Sequence, residues 1–335
     1  MPSAPTSSTV YEPVAGWAKI PHGFWLREAT SVAVDAQDRV YVFNRGNMPM
    51  LVFDADGNLI DHWGNATPHG GQHEIEDPYG LKRLVWDGVE YGWPHSVRVD
   101  PAGALWLVDV HQHQLTKTDT SGTPLMTLGG SPAPPQSGDP FNKPTDVAIN
   151  AATGDIFVSD GYGNSRVHRY TAEGEHVLSW GESGADDGQF SLPHNISMVD
   201  DEHVIVCDRE NHRVQVFTVD GAWVRTWHAH HAVAVTRGRG ADDALYVAEQ
   251  GPPPVQYGVP NLGHRVSVFS PDGELINRFG APLPGEAPNQ FLWPHSIATD
   301  SRGDVYVAEV SYVEVGARMK PPREMVSLRK WRRTD

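Results

Sequence analysis

The chain has 335 residues, with 26 lysines and arginines against 42 aspartates and glutamates, a formal net charge of −16 that disfavours nucleic acid and anionic membranes as partners. The single cysteine, Cys207, rules out an internal disulfide, so a cytoplasmic setting is expected. With 33 glycines, 27 prolines and 39% hydrophobic residues, the composition excludes a helical bundle or a membrane-spanning helix and favours many short strands.

Residues 1–10, rich in Ser, Thr and Pro, read as a flexible N-terminus without the basic and apolar regions of a signal peptide. Residues 11–335 read as one domain. From Ser31 onward the chain repeats one pattern, in which short apolar-alternating strands are joined by Asp-Gly turns. The first copy passes through Ser31–Asp35, Arg39–Arg45 and Met50–Gly57 to Trp63 and Gly64. A second opens at Pro94-His95-Ser96, a third at Pro144-Thr145-Asp146, and a fourth at Pro193-His194-Asn195. A weaker fifth begins near His231, and a sixth opens at Pro294-His295-Ser296. Unequal spacing between copies marks loop insertions, the longest at 65–91 and 251–263. No such sheet buries both faces alone, so radial packing of six copies predicts an all-β, six-bladed β-propeller. The sixth copy lacks a regular closing strand. Residues 11–20 are therefore expected to pair with the last blade and close the ring, with 325–332 supplying another strand.

In a propeller the strand that opens each copy lies innermost. His95, His194 and His295 each follow a proline and come from alternate copies, so they are expected to meet near the axis with threefold spacing. Three neutral imidazoles suit zinc, or another divalent transition metal, with positions left open for water or substrate. The competing reading makes Pro-His a strand-entry dipeptide whose imidazole bonds neighbouring backbone. His22, His230 and His231 are further candidates for the same metal, whereas His62, His69, His73, His111, His113, His168, His176 and His203 read as loop or solvated residues. The turn Asp160–Arg166 projects Tyr162 towards the channel mouth, as a base or as a residue packed on the next blade. Arg45 and Arg209 occupy equivalent turns of the first and fourth copies, to hold a carboxylate or polarise a carbonyl, or to pair with a blade carboxylate such as Asp208.

The strings Lys143-Pro-Thr-Asp-Val-Ala148, Val158-Ser-Asp-Gly-Tyr-Gly-Asn-Ser-Arg166, Gly188-Gln-Phe-Ser-Leu-Pro-His194 and Asp208-Arg-Glu-Asn-His-Arg-Val-Gln-Val-Phe217 resemble the peptidyl-α-hydroxyglycine α-amidating lyases. Those are six-bladed propellers of the NHL-repeat class, and the likeness runs from about Ser31 to Glu309. The resemblance implies that His95, His194 and His295 are zinc ligands, Tyr162 the catalytic tyrosine, and Arg45 and Arg209 active-site arginines. It further implies cleavage of a carbinolamide N–C bond to give an amide and glyoxylate. The family's methionine beside the third ligand is Trp293 here, and Trp93 stands at the second copy's matching place, so a bulkier aromatic substrate pocket is expected. The family's cysteine pair around the tyrosine turn matches Asn142 and Gly163. Its structural calcium uses carbonyls matching Val32 and Val97 and an aspartate matching Ser296; without that carboxylate, weak or absent calcium is expected. No copper monooxygenase domain precedes the repeats, so the hydroxylated small molecule is expected from another source. The 65–91 and 251–263 insertions, the second carrying Tyr257, are expected to cover the mouth. The expected function is thus a zinc-dependent lyase acting on a carbinolamide or related small hydroxylated substrate. A hydrolase or hydratase using metal-bound water, or a non-catalytic NHL binding platform, are the alternatives. The sequence sets no oligomeric state, and a monomer satisfies the ring.

Overall fold

The computed structural model describes residues 9–64, 72–76, 82–86, 91–130, 140–256, 259 and 262–334. Its strands follow the repeated pattern because the β-branched or aromatic runs are cut by turns led by Asp or by Asn, Thr or Ser, as at Asn150, Thr171 and Ser270. In the first such turn Asp35 accepts the backbone N–H groups of Gln37 and Arg39, both at 2.9 Å, and Asp54, Asp100 and Asp119 do the same in later turns. Among the described residues there are six four-stranded antiparallel sheets, plus a hairpin pairing Gln72–Glu76 with Lys82–Trp86. His69, Asp77 and Tyr257, on the insertions expected to cover the mouth, lie outside the described residues.

Each sheet is a blade. In the first, Ala29–Val34, Val40–Asn44 and Met50–Phe53 are buried along their length, while the outermost strand Leu59–Trp63 is largely exposed. Blades pack face to face through valines and isoleucines and through a bulky side chain at one register of the second strand. That side chain is Tyr41, Trp106, Phe157, Ile205, Tyr246 or Tyr306, each at most 2% exposed. The last blade is built from both termini. Pro294–Thr299, Val305–Glu309, Leu328–Thr334 and Val10–Pro13 lie side by side, so the N-terminal strand is outermost and closes the ring. The closing strand is shorter than residues 11–20: it spans Val10–Pro13, and Val14 N donates a last bond to the Lys330 carbonyl at 2.8 Å. Beyond it the chain crosses to the first blade, where Lys19 N donates to the Gly57 carbonyl at 2.8 Å.

The innermost strands Ala29–Val34, Pro94–Val99, Asp146–Ile149, Pro193–Met198, Ala232–Arg237 and Pro294–Thr299 pack successively around the axis. Five of them slip register at their first residues, between Ala29 and Ser31, Pro94 and Ser96, Pro193 and Asn195, Ala232 and Ala234, and Pro294 and Ser296. Such a bulge re-aims the extra residue. The extra residues are Thr30, His95, His194, Val233 and His295, and Thr145 stands at the corresponding place just before the third innermost strand. No helix among the described residues is long and apolar enough to cross a membrane.

Candidate metal centre

His95, His194 and His295 converge as the alternation of copies requires. One ring nitrogen from each lies within 4.8 Å of the others, and all three residues are buried. The ring centroids are 4.7 to 5.0 Å apart. The odd-numbered blades supply what the sequence reading missed. His95 Nδ1 meets the Thr145 carbonyl at 2.6 Å, His194 Nδ1 the Val233 carbonyl at 2.8 Å, and His295 Nδ1 the Thr30 carbonyl at 2.7 Å. Each bulge imidazole is thus held by the bulge position of the next blade. A carbonyl only accepts, so Nδ1 carries the proton and each Nε2 presents a lone pair to the axis.

Burial pushes all three imidazoles down, His295 to about 3 and the other two well below the usual histidine range. Neighbouring positive charge adds to this, chiefly from Arg209 at His194 and from Arg45 at His295. The rings are therefore neutral, as metal ligands must be. The Tyr162 hydroxyl lies 3.0 Å from Nε2 of both His95 and His194. It has one proton to give, and three buried acceptors face the same space. A cation satisfies that donor set, so these residues fit zinc.

Tyr162 reaches the axis because its turn follows the second strand Ile156–Asp160, and Arg45 and Arg209 directly follow the second strands of their own blades. Gly161 permits the approach, since a Cβ there would lie 2.1 Å from the Pro193 carbonyl oxygen. Asp160, fully buried, accepts the Asn142 N–H at 2.9 Å and the Asn164 amide at 2.7 Å. Where the amidating lyases carry a cysteine pair, Gly163 N donates to the Asn142 carbonyl at 2.9 Å and Asn142 Nδ2 to the Gly163 carbonyl at 3.3 Å. Reciprocal hydrogen bonds fasten this turn.

Arg45 lies over the Trp93 ring, with Cζ 3.9 Å from the ring centroid, and its Nη1 pairs with Glu28 at 2.6 Å. Trp93 also packs against Tyr162 and Val110. Glu28, 2% exposed, accepts the Val313 N–H at 2.8 Å from a short helix, Ser311–Glu314, that the sequence reading did not anticipate. Arg209 donates to Glu210 at 2.8 Å, and His231 meets the same carboxylate oxygen at 3.3 Å. Those two bonds push the Glu210 carboxyl down to about 2, the His231 bond having the larger effect. Trp293 stands against His264 at 5.6 Å.

The additional candidate ligands lie elsewhere. His22 is exposed, and His230 stacks on His212 at 4.7 Å with His231 beside them. His168 is also placed differently from the solvated position expected of it, being 3% exposed and 3.3 Å from Asp160. The positions implied for calcium do not fit that ion. The Ser296 hydroxyl pairs with that of Ser31 at 3.0 Å and accepts the Val32 N–H at 3.3 Å, while Ser31 Oγ donates to the Val97 carbonyl at 3.4 Å.

Residues 141–170 and 190–217 match the NHL repeat family. A peptidyl-glycine α-amidating monooxygenase of Xenopus laevis is 31% identical over 292 residues, covering 84% of this chain and 30% of that protein. The peptidyl-α-hydroxyglycine α-amidating lyase 1 of Drosophila melanogaster is 30% identical over 317 residues, covering 87% of this chain and 56% of that protein. The chain therefore spans between 30% and 56% of the length of these two relatives. In fold it matches a virginiamycin B lyase from Staphylococcus aureus with a TM-score of 0.54 at 11% identity, over 97% of this chain and 98% of that one. The chain is a six-bladed β-propeller of the NHL-repeat class, similar along 87% of its length to a peptidyl-α-hydroxyglycine α-amidating lyase.

Proposed function

We propose that this propeller is a zinc-dependent lyase that breaks the C–N bond of a carbinolamide, with a peptidyl-α-hydroxyglycine or a related small hydroxylated molecule as substrate. The observation that carries the reading is the Tyr162 hydroxyl within 3.0 Å of two neutral imidazoles in a buried three-histidine cluster. His95, His194 and His295 would hold the zinc, which when bound supplies Lewis-acid polarisation of the substrate oxygen.

The chain's own groups do the rest. Tyr162, in the phenolate form that a bound cation and the nearby arginines would favour, takes the proton of the substrate hydroxyl as its oxygen becomes a carbonyl. The C–N bond breaks with its electron pair going to nitrogen, and the amide nitrogen regains a proton, for which the Tyr162 hydroxyl is the available carrier. Arg45 and Arg209 set a positive field around the cluster, suited to a substrate carboxylate. Trp93 gives Arg45 a flat face that fixes its guanidinium plane. Trp293 belongs to the proposed pocket as its outer aromatic wall, beside His264.

The test combines metal analysis with turnover of a hydroxyglycine-extended acyl amide. Protein purified without added metal is expected to carry one zinc per chain and to release amide and glyoxylate. Tyr162→Phe is expected to keep the fold and the zinc while losing roughly 10²- to 10⁴-fold in kcat, the usual range for a lost acid–base group. Full activity in that variant would remove the tyrosine from the chemistry. Release of a carboxylic acid carrying solvent oxygen in heavy-oxygen water, in place of the amide, would instead indicate a hydrolase.

A further inference from the structure

Beside the imidazoles, an ion pair joins the innermost strands of the second and third blades. Asp146, fully buried, accepts two bonds from the Arg98 guanidinium, at 3.0 Å from Nε and 2.5 Å from Nη2. It also accepts the Asn195 side-chain amide and, at 3.3 Å, the Ile196 N–H. Asn195 Oδ1 in turn accepts the Val235 N–H at 2.7 Å. The second to fifth blades are joined by this network, and the Ser296, Ser31 and Val97 contacts join the sixth, first and second.

Each member of the node adjoins a residue of the imidazole cluster. Arg98 shares the strand Pro94–Val99 with His95. Asp146 follows Thr145, whose carbonyl holds His95, and Asn195 follows His194. A bidentate guanidinium–carboxylate pair fixes both direction and distance, whereas a point charge would fix neither. At the positions implied for a calcium ion, Ser296 Oγ meanwhile accepts the Val32 N–H and the Val97 carbonyl accepts from Ser31 Oγ.

We propose that Arg98, Asp146 and Asn195 form an internal clamp that positions His95 and His194 for a shared metal and takes the place of a bound structural cation at this level. The proposal rests on the reading of the three histidines as a metal site. Buried ion pairs are better suited to holding geometry than to adding stability, since desolvation offsets their attraction.

The experiment is a titration of metal-free protein with Co²⁺, followed by visible absorption, with affinity from chelator competition and folding checked by circular dichroism. Wild-type protein is expected to bind one cobalt with tetrahedral-type bands. Arg98→Lys, which keeps the charge and loses the fork, and Asp146→Asn are expected to bind roughly 10- to 100-fold more weakly, with shifted bands. If Asp146→Asn fails to fold, Arg98→Lys carries the test. Unchanged affinity and spectrum in the folded variants overturn the positioning role. Failure of the wild type to take up cobalt overturns the metal reading, and this role with it. Millimolar CaCl₂ is expected to leave the wild-type melting temperature unchanged, and a rise overturns the substitution for a structural cation.

Discussion

Replacing Glu28 by Gln isolates the support beneath Arg45. The two side chains are 2% and 9% exposed and their charged atoms are 2.6 Å apart, so the substitution removes a buried negative charge and keeps a side chain of similar shape. With group centres about 4 Å apart and an effective dielectric near 20, the lost attraction is about 4 kcal/mol. Gln still accepts one hydrogen bond, which leaves a net destabilisation of about 3 kcal/mol, at the lower end of the range for breaking a buried pair. Arg45 keeps its place on Trp93 and its 3.2 Å bond to the Pro94 carbonyl, so its charge stays buried instead of swinging into water. Calorimetry is expected to show a fall in melting temperature of roughly 4 °C. The double variant Glu28→Gln with Arg45→Met should recover part of that loss, because the stranded cation is gone. A melting temperature indistinguishable from wild type, or losses that simply add in the double variant, would refute the argument, since either result means that the guanidinium finds water.

Ring closure through the N-terminal strand has its own check. Tyr11 stacks on Phe279 at 4.4 Å and bonds the Tyr246 hydroxyl at 2.8 Å, so Tyr11→Ala should cost about 3 kcal/mol, read from the denaturant midpoint; an unmoved midpoint would mean that the strand is dispensable. Acid should weaken the fold through buried imidazoles. Burial, then the neighbouring His212, pushes His230 down to about 4, and burial does the same for His264. Below the unfolded value near 6.5 the unfolded chain binds protons that the folded chain refuses, so stability is full above pH 6.5 and falls as pH drops towards 4. Between pH 6.5 and 5 each ring accounts for up to about 2 kcal/mol. A wild-type-like slope in a His230→Gln, His264→Gln variant would assign the acid sensitivity elsewhere.

Much of the architecture was legible because a blade is a local object. Strands of about five residues, alternating side chains and Asp-led turns are set by nearest neighbours in sequence, and their recurrence counts the blades. The alternation of Pro-His between copies carried the three-histidine cluster in the same way. The rule that opening strands lie innermost converts sequence register into position on an axis. Arg45, Tyr162 and Arg209 were found through an equivalent turn in their own copies.

What remained hidden depends on neighbours distant in sequence. The carbonyls of Thr30, Thr145 and Val233 leave no residue-type signal, because any residue has a carbonyl; only comparing the histidine register across all six copies would have exposed them. Glu28 precedes the first copy and meets Val313 at the far end of the chain, a contact that exists only once the ring closes. His168 reads as polar and solvated by type, yet pairing across its blade turns it inward to Asp160. The amino-acid order by itself determined the repeat, the blade count and which imidazoles share a register. Tertiary packing alone decided which nitrogen of each imidazole faces the axis and which carboxylates neutralise the arginines, because those outcomes depend on through-space distances of a few ångströms between blades that the chain does not connect directly.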